Sequence, residues 1–327
     1  MSAPLTGLQK KLCNILQDGL PAVARPFAGI AEILGSNETE VLRQVRQLRK
    51  KRVIRRLAAV INYRSLGKVS TLVTAHVPEE DIQEIAAAVN SLAGVSHNYL
   101  RKHLYNLWFT LQGRSQAEIE TTLLKLAAQF GIDFHSLPVT DIFKLDVRFD
   151  AENIEQLAAD AVQAARIPKT KKALLSERQK QILSGLQNEL EIVERPFEFL
   201  CGGKLKEKNV LKVINSLVEK GVISRIAAIV DHRKLGFVAN VMFVCSVPQK
   251  RIIYAGNELA GFGMVSHCYA RKTFEGWPYN LFGMMHGRSM GDIQRTIDEF
   301  TEAEKIDTFE LLPTEAELKK RSVEQKF

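Results

Sequence analysis

Leu8, Leu12, Ile15 and Leu16 recur at helical spacing near the start of the chain, and apolar positions three and four apart form the buried stripe of an amphipathic helix. Ile30 to Leu34 gives a second, short helix. Glu38 to Lys51 gives a third, with Val41, Leu42, Val45 and Leu48 on one side and Gly35-Ser36-Asn37 as the turn and cap before it. The period then changes. Val53 to Ile61 is extended and β-branched, readable as the wing of a winged helix-turn-helix. From Lys68 the pattern predicts strand (Val69 to Val77), helix (Glu79 to Leu92), strand (Val95 to Leu100), strand (Leu104 to Gln112), helix (Gln116 to Phe130) and strand (Asp133 to Leu137). That is the βαββαβ order of a ferredoxin-like domain.

The same progression then returns. Arg25-Pro26-Phe27 recurs as Arg195-Pro196-Phe197, and between residues 53–67 and 222–236 eight of fifteen positions are identical. Val95-Ser96-His97-Asn98-Tyr99-Leu100-Arg101-Lys102 matches Val265-Ser266-His267-Cys268-Tyr269-Ala270-Arg271-Lys272. Tyr105-Asn106-Leu107 matches Tyr279-Asn280-Leu281, and Gly113-Arg114-Ser115 matches Gly287-Arg288-Ser289; the offset drifts only from 169 to 174. Collinearity of this extent means internal duplication. The expected fold class is α+β, two tandem copies of a winged helix-turn-helix followed by a βαββαβ domain. The expected division is 1–67 and 68–145 for the first copy, a linker over 146–174, and 175–236 and 237–327 for the second, whose βαββαβ pattern runs from Phe237 to Leu312. Within the linker, Glu152 to Ala165 is Ala-rich and predicted helical, and Pro168-Lys169-Thr170-Lys171-Lys172 ends it.

Composition narrows the class. The chain has 327 residues, 46% apolar and 25% charged, enough to bury substantial cores in two or more domains. Its longest apolar runs fall short of the roughly 20 residues a membrane-spanning helix needs, and its first residues carry no secretion signal. A cytoplasmic location is the expectation. Four scattered cysteines, Cys13, Cys201, Cys245 and Cys268, form no Cys-x-x-Cys pair and suggest neither a zinc site nor a disulfide framework. The net charge of +8 suits a nucleic acid or an anionic small molecule equally.

The repeated Val-Ser-His-x-Tyr-x-Arg segments, with Tyr105-Asn106-Leu107-Trp108-Phe109 after the first and Trp277-Pro278-Tyr279-Asn280-Leu281-Phe282 after the second, resemble the siroheme decarboxylase family. Those are Lrp/AsnC-like proteins usually built from two unlike subunits, and this chain resembles a fusion of both. The resemblance implies non-oxidative decarboxylation of the C12 and C18 acetates of siroheme to 12,18-didecarboxysiroheme, on the route to heme d1 or heme b. It implies no cofactor beyond the iron of the substrate. Further partner expectations are heme b as a regulator and a homodimer of the fused chain. The competing reading is an Lrp/AsnC-type DNA-binding regulator, for which Arg43, Arg46, Arg49, Lys50, Lys51 and Arg52 on the third helix would supply phosphate contacts.

The residues fit decarboxylation. On a strand, His97, Tyr99 and Arg101 share one face, as do His267, Tyr269 and Arg271. Histidine, with a free pKa of about 6.5, can deliver the proton the departing CO2 leaves wanting, and arginine clamps carboxylates in a bidentate fork. A lone histidine or tyrosine on such a strand is ordinarily a packing residue; recurrence of the whole triplet is what singles it out. Candidate substrate contacts are Tyr99, Tyr269, Tyr105, Tyr279, Asn106, Asn280, the wing arginines Arg56, Arg225, Arg64 and Arg233, and Trp277. Trp277 lies in an insertion peculiar to the second copy and is expected on an exposed loop. His103, His232 and His286 occur in one copy only, and His286 is a weak candidate for the substrate iron.

Overall fold

A computed structural model describes residues 4–145, 148–152, 165–166, 172–203, 205–321 and 323–325. In the first copy α1 (Gly7–Asp18) opens on a capping box in which Thr6 and Gln9 satisfy each other's backbone N–H groups. Then come α2 (Pro26–Ile33) and α3 (Glu38–Lys50), the latter capped by Asn37, and the strand β1 (Ile54–Ile61). The βαββαβ unit follows as β2 (Val69–Ala75), α4 (Ile82–Ser91), β3 (Val95–Arg101), β4 (Leu107–Gly113), α5 (Gln116–Phe130) and β5 (Phe134–Leu145). A two-residue strand, β6 (Ala165–Arg166), lies alongside β5. The helix predicted over 152–165 falls almost wholly outside the described residues, and at its end Ala165 is strand rather than helix.

The second copy repeats the order with α6 (Glu177–Leu186), α7 (Glu207–Glu219), β7 (Ile223–Val230), β8 (Ala239–Cys245), α8 (Ile252–Gly261), β9 (Val265–Arg271), β10 (Leu281–Gly287), α9 (Met290–Glu304) and β11 (Phe309–Lys320). The counterpart of α2 shrinks to a single 3₁₀ turn, Glu198–Cys201. Gly202 and Gly203, both at positive φ, end it.

The expected wing is not a hairpin. β1 pairs antiparallel with β7 of the other copy, Leu57 opposite Ala228 and Ala59 opposite Ile226. Reciprocal bonds tie each copy's first helix to the other's strand: Leu20 N–H to the Ile226 carbonyl (2.6 Å) and Leu190 N–H to the Leu57 carbonyl (2.7 Å). Both helix-turn-helix units therefore share one core, running from Leu12 and Phe27 through Phe197 and Ile214 to Phe237.

The last strand of each βαββαβ unit is longer than predicted, for the same reason. β5 pairs with β2 through Phe134 to Pro138, then crosses to β9 through Val139 to Leu145. β11 pairs with β8 through Phe309 to Pro313, then crosses to β3 from Thr314 to Lys320. Pro138 and Pro313 sit at equivalent points where the strand leaves its own sheet, a place where a missing N–H is tolerated. The sheet order β2-β4-β3-β11-β8-β10-β9-β5, with β5 also on β2, closes into a ring in which each of these strands has two neighbours, β5 and β11 by halves. Helices α4 and α5 cover one outer face and α8 and α9 the other. The inner faces enclose Trp108, Leu137, Met242, Val244, Trp277, Tyr279, Phe282 and Leu312.

Candidate active site

Alternation along β3 and β9 settles what each motif residue does. Asn98 and Cys268 are fully buried on the helix side, where Asn98 donates to Asn90 Oδ1 (3.1 Å) and Cys268 Sγ contacts the Gly256 carbonyl (3.5 Å). The position that differs between the motifs is therefore a packing position. The triplets face the opposite way. His97 and Tyr99 lie with rings 6.1 Å apart and 25° between planes; His267 and Tyr269 repeat this at 6.1 Å and 28°. Arg101 lies 5.6 Å from the centre of the Tyr99 ring, and Arg271 lies 4.9 Å from that of Tyr269.

Arg101 is buried and Arg271 partly so, and among the described residues neither guanidinium has a counter-charge. Arg101 donates to the Leu312 carbonyl (2.6 Å) and Thr314 Oγ1 (3.2 Å), and Arg271 to the Leu137 carbonyl (2.8 Å). In each, Nε is buried with no hydrogen-bond partner. Burial pulls both down to about 10, partly offset by the neighbouring tyrosine, and no carboxylate acts on either. Both remain cationic at neutral pH. A buried charge without a partner is costly, and an incoming carboxylate removes that cost.

The histidines depart from the expectation of a free value near 6.5. Burial, then Lys320, lowers His97 to about 4; burial, then His97 itself, lowers His267 to about 4. Ser96 Oγ lies 2.8 Å from His97 Nδ1, and Ser266 Oγ lies 3.1 Å from His267 Nδ1. As they stand both imidazoles are neutral. Protonation needs added negative charge beside them.

A cavity of about 350 Å³ opens beside the first triplet, where β11 places Lys320 opposite His97 and Glu317 opposite Tyr99. Its walls carry five cations, Arg49, Arg52, Arg55, Arg233 and Lys320, against two carboxylates, Asp231 and Glu317, and they also include His232. The second triplet has Tyr63 and Arg64 in the places of His232 and Arg233; both act on Arg271. Elsewhere the second side lacks the charge: Val218, Gly221, Ser224 and Leu145 stand where Arg49, Arg52, Arg55 and Lys320 do.

Several predicted contacts belong elsewhere. Asn106 clamps Val77 through both backbone groups (2.9 and 2.8 Å), and Asn280 clamps Val247 in the same way. These are strand-end fasteners. Trp277, expected on an exposed loop, is 2% exposed in the inner aromatic core, 5.4 Å from Trp108 and 4.9 Å from Tyr279. Tyr105 joins the same cluster, and Tyr279 donates to Glu310 (2.8 Å). Of the wing arginines, Arg233 lines the cavity and Arg64 flanks the second triplet. Arg56 is turned toward Glu189, and its neighbour Arg55 takes the cavity side by strand alternation; Arg225 occupies the place in β7 equivalent to Arg56. His286 lies behind His232 and Phe149, so the cavity face belongs to His232. Nothing local in the sequence marks Arg55 or Lys320, and His232 is marked only as a histidine of one copy; the substitutions between copies, Tyr63 to His232 and Leu145 to Lys320, carry the signal.

The third helix is likewise diverted from DNA. Arg43 pairs with Glu40, Arg46 donates to the Ile192 carbonyl (3.0 Å), and Arg49 is ion-paired to Glu189. Among the described residues no helix is long and apolar enough to cross a membrane, and no cluster of three or more His, Cys, Asp or Glu side chains could hold a metal ion.

Comparison with known proteins agrees with this architecture. The family described as AsnC-like ligand binding domain matches residues 65–144 and 234–319, and the siroheme decarboxylase NirDL-like HTH domain matches residues 9–55. A siroheme decarboxylase of Hydrogenobacter thermophilus is 35% identical over 95% of this chain and 92% of its own length. The siroheme decarboxylase alpha subunit of Oleidesulfovibrio alaskensis is 43% identical over 48% of this chain and 94% of its own. A crystal structure of the siroheme decarboxylase NirDL in complex with an iron-uroporphyrin III analogue superposes with a TM-score of 0.73 at 31% identity, covering 96% of this chain and 93% of that one.

Proposed function

This chain belongs to the siroheme decarboxylase family, and from that premise we propose that it is a carboxy-lyase converting siroheme to 12,18-didecarboxysiroheme at the two His-Tyr-Arg triplets, the first of which adjoins the cationic cavity. The observation carrying the reading is the pair of guanidiniums whose buried Nε atoms lack a partner among the described residues, each on a strand face with a partly buried imidazole. A polycarboxylate supplies the charge both lack.

The chemistry is balanced without an oxidant. The acetate carbon–carbon bond breaks, CO2 leaves, the electron pair stays on the methylene carbon in conjugation with the macrocycle, and one proton completes a methyl group. Arg101 and Arg271 hold carboxylates through their open Nε–H edges, in a dry environment where such contacts are strong. His97 and His267 deliver the proton. Free, they are neutral; a bound carboxylate within a few ångströms favours the imidazolium, so the acid forms where the substrate sits. Arg49, Arg52, Arg55, Arg233 and Lys320 take the peripheral carboxylates and speed encounter with a polyanion.

Anaerobic incubation of the purified protein with siroheme tests the reading by mass spectrometry. Products lighter by one and two CO2 are expected. Absence of both sinks it. In His97→Ala and His267→Ala the turnover falls more than substrate affinity, whereas in Arg101→Ala and Arg271→Ala affinity falls; wild-type turnover in all four would remove the site assignment. With Arg46 bonded to the Ile192 carbonyl and Arg49 paired with Glu189 at the cavity wall, no observation favours the DNA-binding alternative.

A further inference from the structure

His232 Nε2 is buried and has no hydrogen-bond partner among the described residues, although the residue lines the cationic cavity and is only 6% exposed. An orphaned polar atom in such a place calls for an explanation. The ring is held from behind. Phe149 stacks on it at 5.3 Å with 26° between planes, and His286 meets it at 4.9 Å. Phe149 is fixed by Gln17, which accepts from its N–H (2.9 Å) and donates to its carbonyl (2.9 Å). His286 is fixed by Asn240 (3.2 Å) and by the edge of Phe149. The ring is thus fixed at the cavity wall with its Nε2 covered and unpartnered.

Its surroundings specify what it would meet. Five cations around the cavity wall suit a ligand with carboxylates at its periphery. A neutral nitrogen lone pair amid cations suits a Lewis acid at the centre of that ligand. Resting on the tetrapyrrole reading above, we propose that His232 binds the iron of the substrate through Nε2, docking the macrocycle on this side of the chain. Burial, followed by Lys320, lowers the ring to about 4, which leaves the lone pair available at neutral pH.

The other copy supplies an internal comparison. Gln187 grips the backbone of Gln325 as Gln17 grips Phe149, and Gln325 contacts Gln112 (3.0 Å) as Phe149 contacts His286. At the three positions of His232, His286 and Phe149 the second pocket therefore has Tyr63, Gln112 and Gln325. The brace is conserved in backbone geometry, but the imidazoles exist on one side alone. Iron docking is thus asymmetric in a molecule whose fold is nearly symmetric.

The test compares iron(III) uroporphyrin III with metal-free uroporphyrin III, because the two share carboxylates and differ in the metal. In the wild-type protein bound iron should show the optical and paramagnetic signature of imidazole ligation. His232→Ala should lose that signature and weaken iron-porphyrin binding about tenfold or more, while metal-free binding stays within about twofold; added imidazole should restore the signature. His97→Ala should keep it. An unchanged signature in His232→Ala, or equal weakening for both porphyrins, overturns the proposal. If the wild-type protein binds neither porphyrin, the tetrapyrrole reading itself falls.

Discussion

Arg101 and Arg271 are placed where a protein selected only for stability would put an apolar residue, buried with Nε unpaired. Replacing an uncompensated buried charge relieves its desolvation. Arg101→Gln and Arg271→Gln are therefore expected to hold or raise the urea unfolding midpoint, by about 1 kcal/mol of stability, while siroheme binding weakens tenfold or more on the scale of about 1.4 kcal/mol per decade. A loss of several kcal/mol in either variant would make the arginine structural instead. The depressed histidines give a second prediction at this scale. If substrate carboxylates create the acid, binding at pH 7 takes up protons. Calorimetric titration in buffers of different ionisation enthalpy should show about one proton per engaged histidine, reduced in His97→Gln. Zero uptake by the wild-type protein would require another proton donor.

At the scale of elements, the crossing strands matter most. β5 starts in the first copy and ends by placing Phe143, 1% exposed, in the helix-side core of the second. A Cβ on Gly256 of α8 would lie 2.3 Å from that ring, so the helix keeps a glycine in its middle to let the aromatic in. Phe143→Ala should destabilise the molecule by about 3–5 kcal/mol, and Gly256→Ala should also destabilise despite its better helix propensity; denaturant unfolding of each variant checks both. The pattern over 133–137 predicted only the part of β5 that lies in its own sheet. Beyond it the register shifts between Val139 and Asp141 and again between Ile142 and Lys144, so consecutive Phe143 and Lys144 are both buried and the residues no longer show the simple alternation of a half-buried strand.

For the whole molecule, the closed sheet and shared helix-turn-helix core mean that neither copy is complete alone. Fragments 1–152 and 172–327 produced together should co-purify as a heterodimer that binds tetrapyrrole, and either produced singly should aggregate or self-pair, since it would expose two long strand edges. Gel filtration distinguishes these outcomes. Acid should act globally as well. Burial first of all holds His97, His232 and His267 down to about 4 and His286 well below its free value. Unfolded, each returns to about 6.5, so below that pH the unfolded chain binds more protons and stability falls as pH drops from about 6.5 toward 4. Urea midpoints at pH 7.5 and 4.5 should differ accordingly. His286→Gln, which installs the residue found at Gln112, should shrink that difference.

The sequence by itself determined the duplication, the order of helices and strands, and the shared face of His, Tyr and Arg, because periodicity and repetition are local properties of a chain. It could not determine that β1 meets β7 rather than folding into a wing, or that β5 and β11 exchange sheets, because an unpaired strand edge carries no mark of its partner. Nor could it tell Asn106 the fastener from Arg101 the cation, since both recur in the motif and only burial and hydrogen-bond partners separate them. The cavity arose from three remote stretches, residues 49–55, 231–233 and 317–320. Tertiary structure alone brought five cations and one imidazole to that wall, and made two nearly identical triplets unequal.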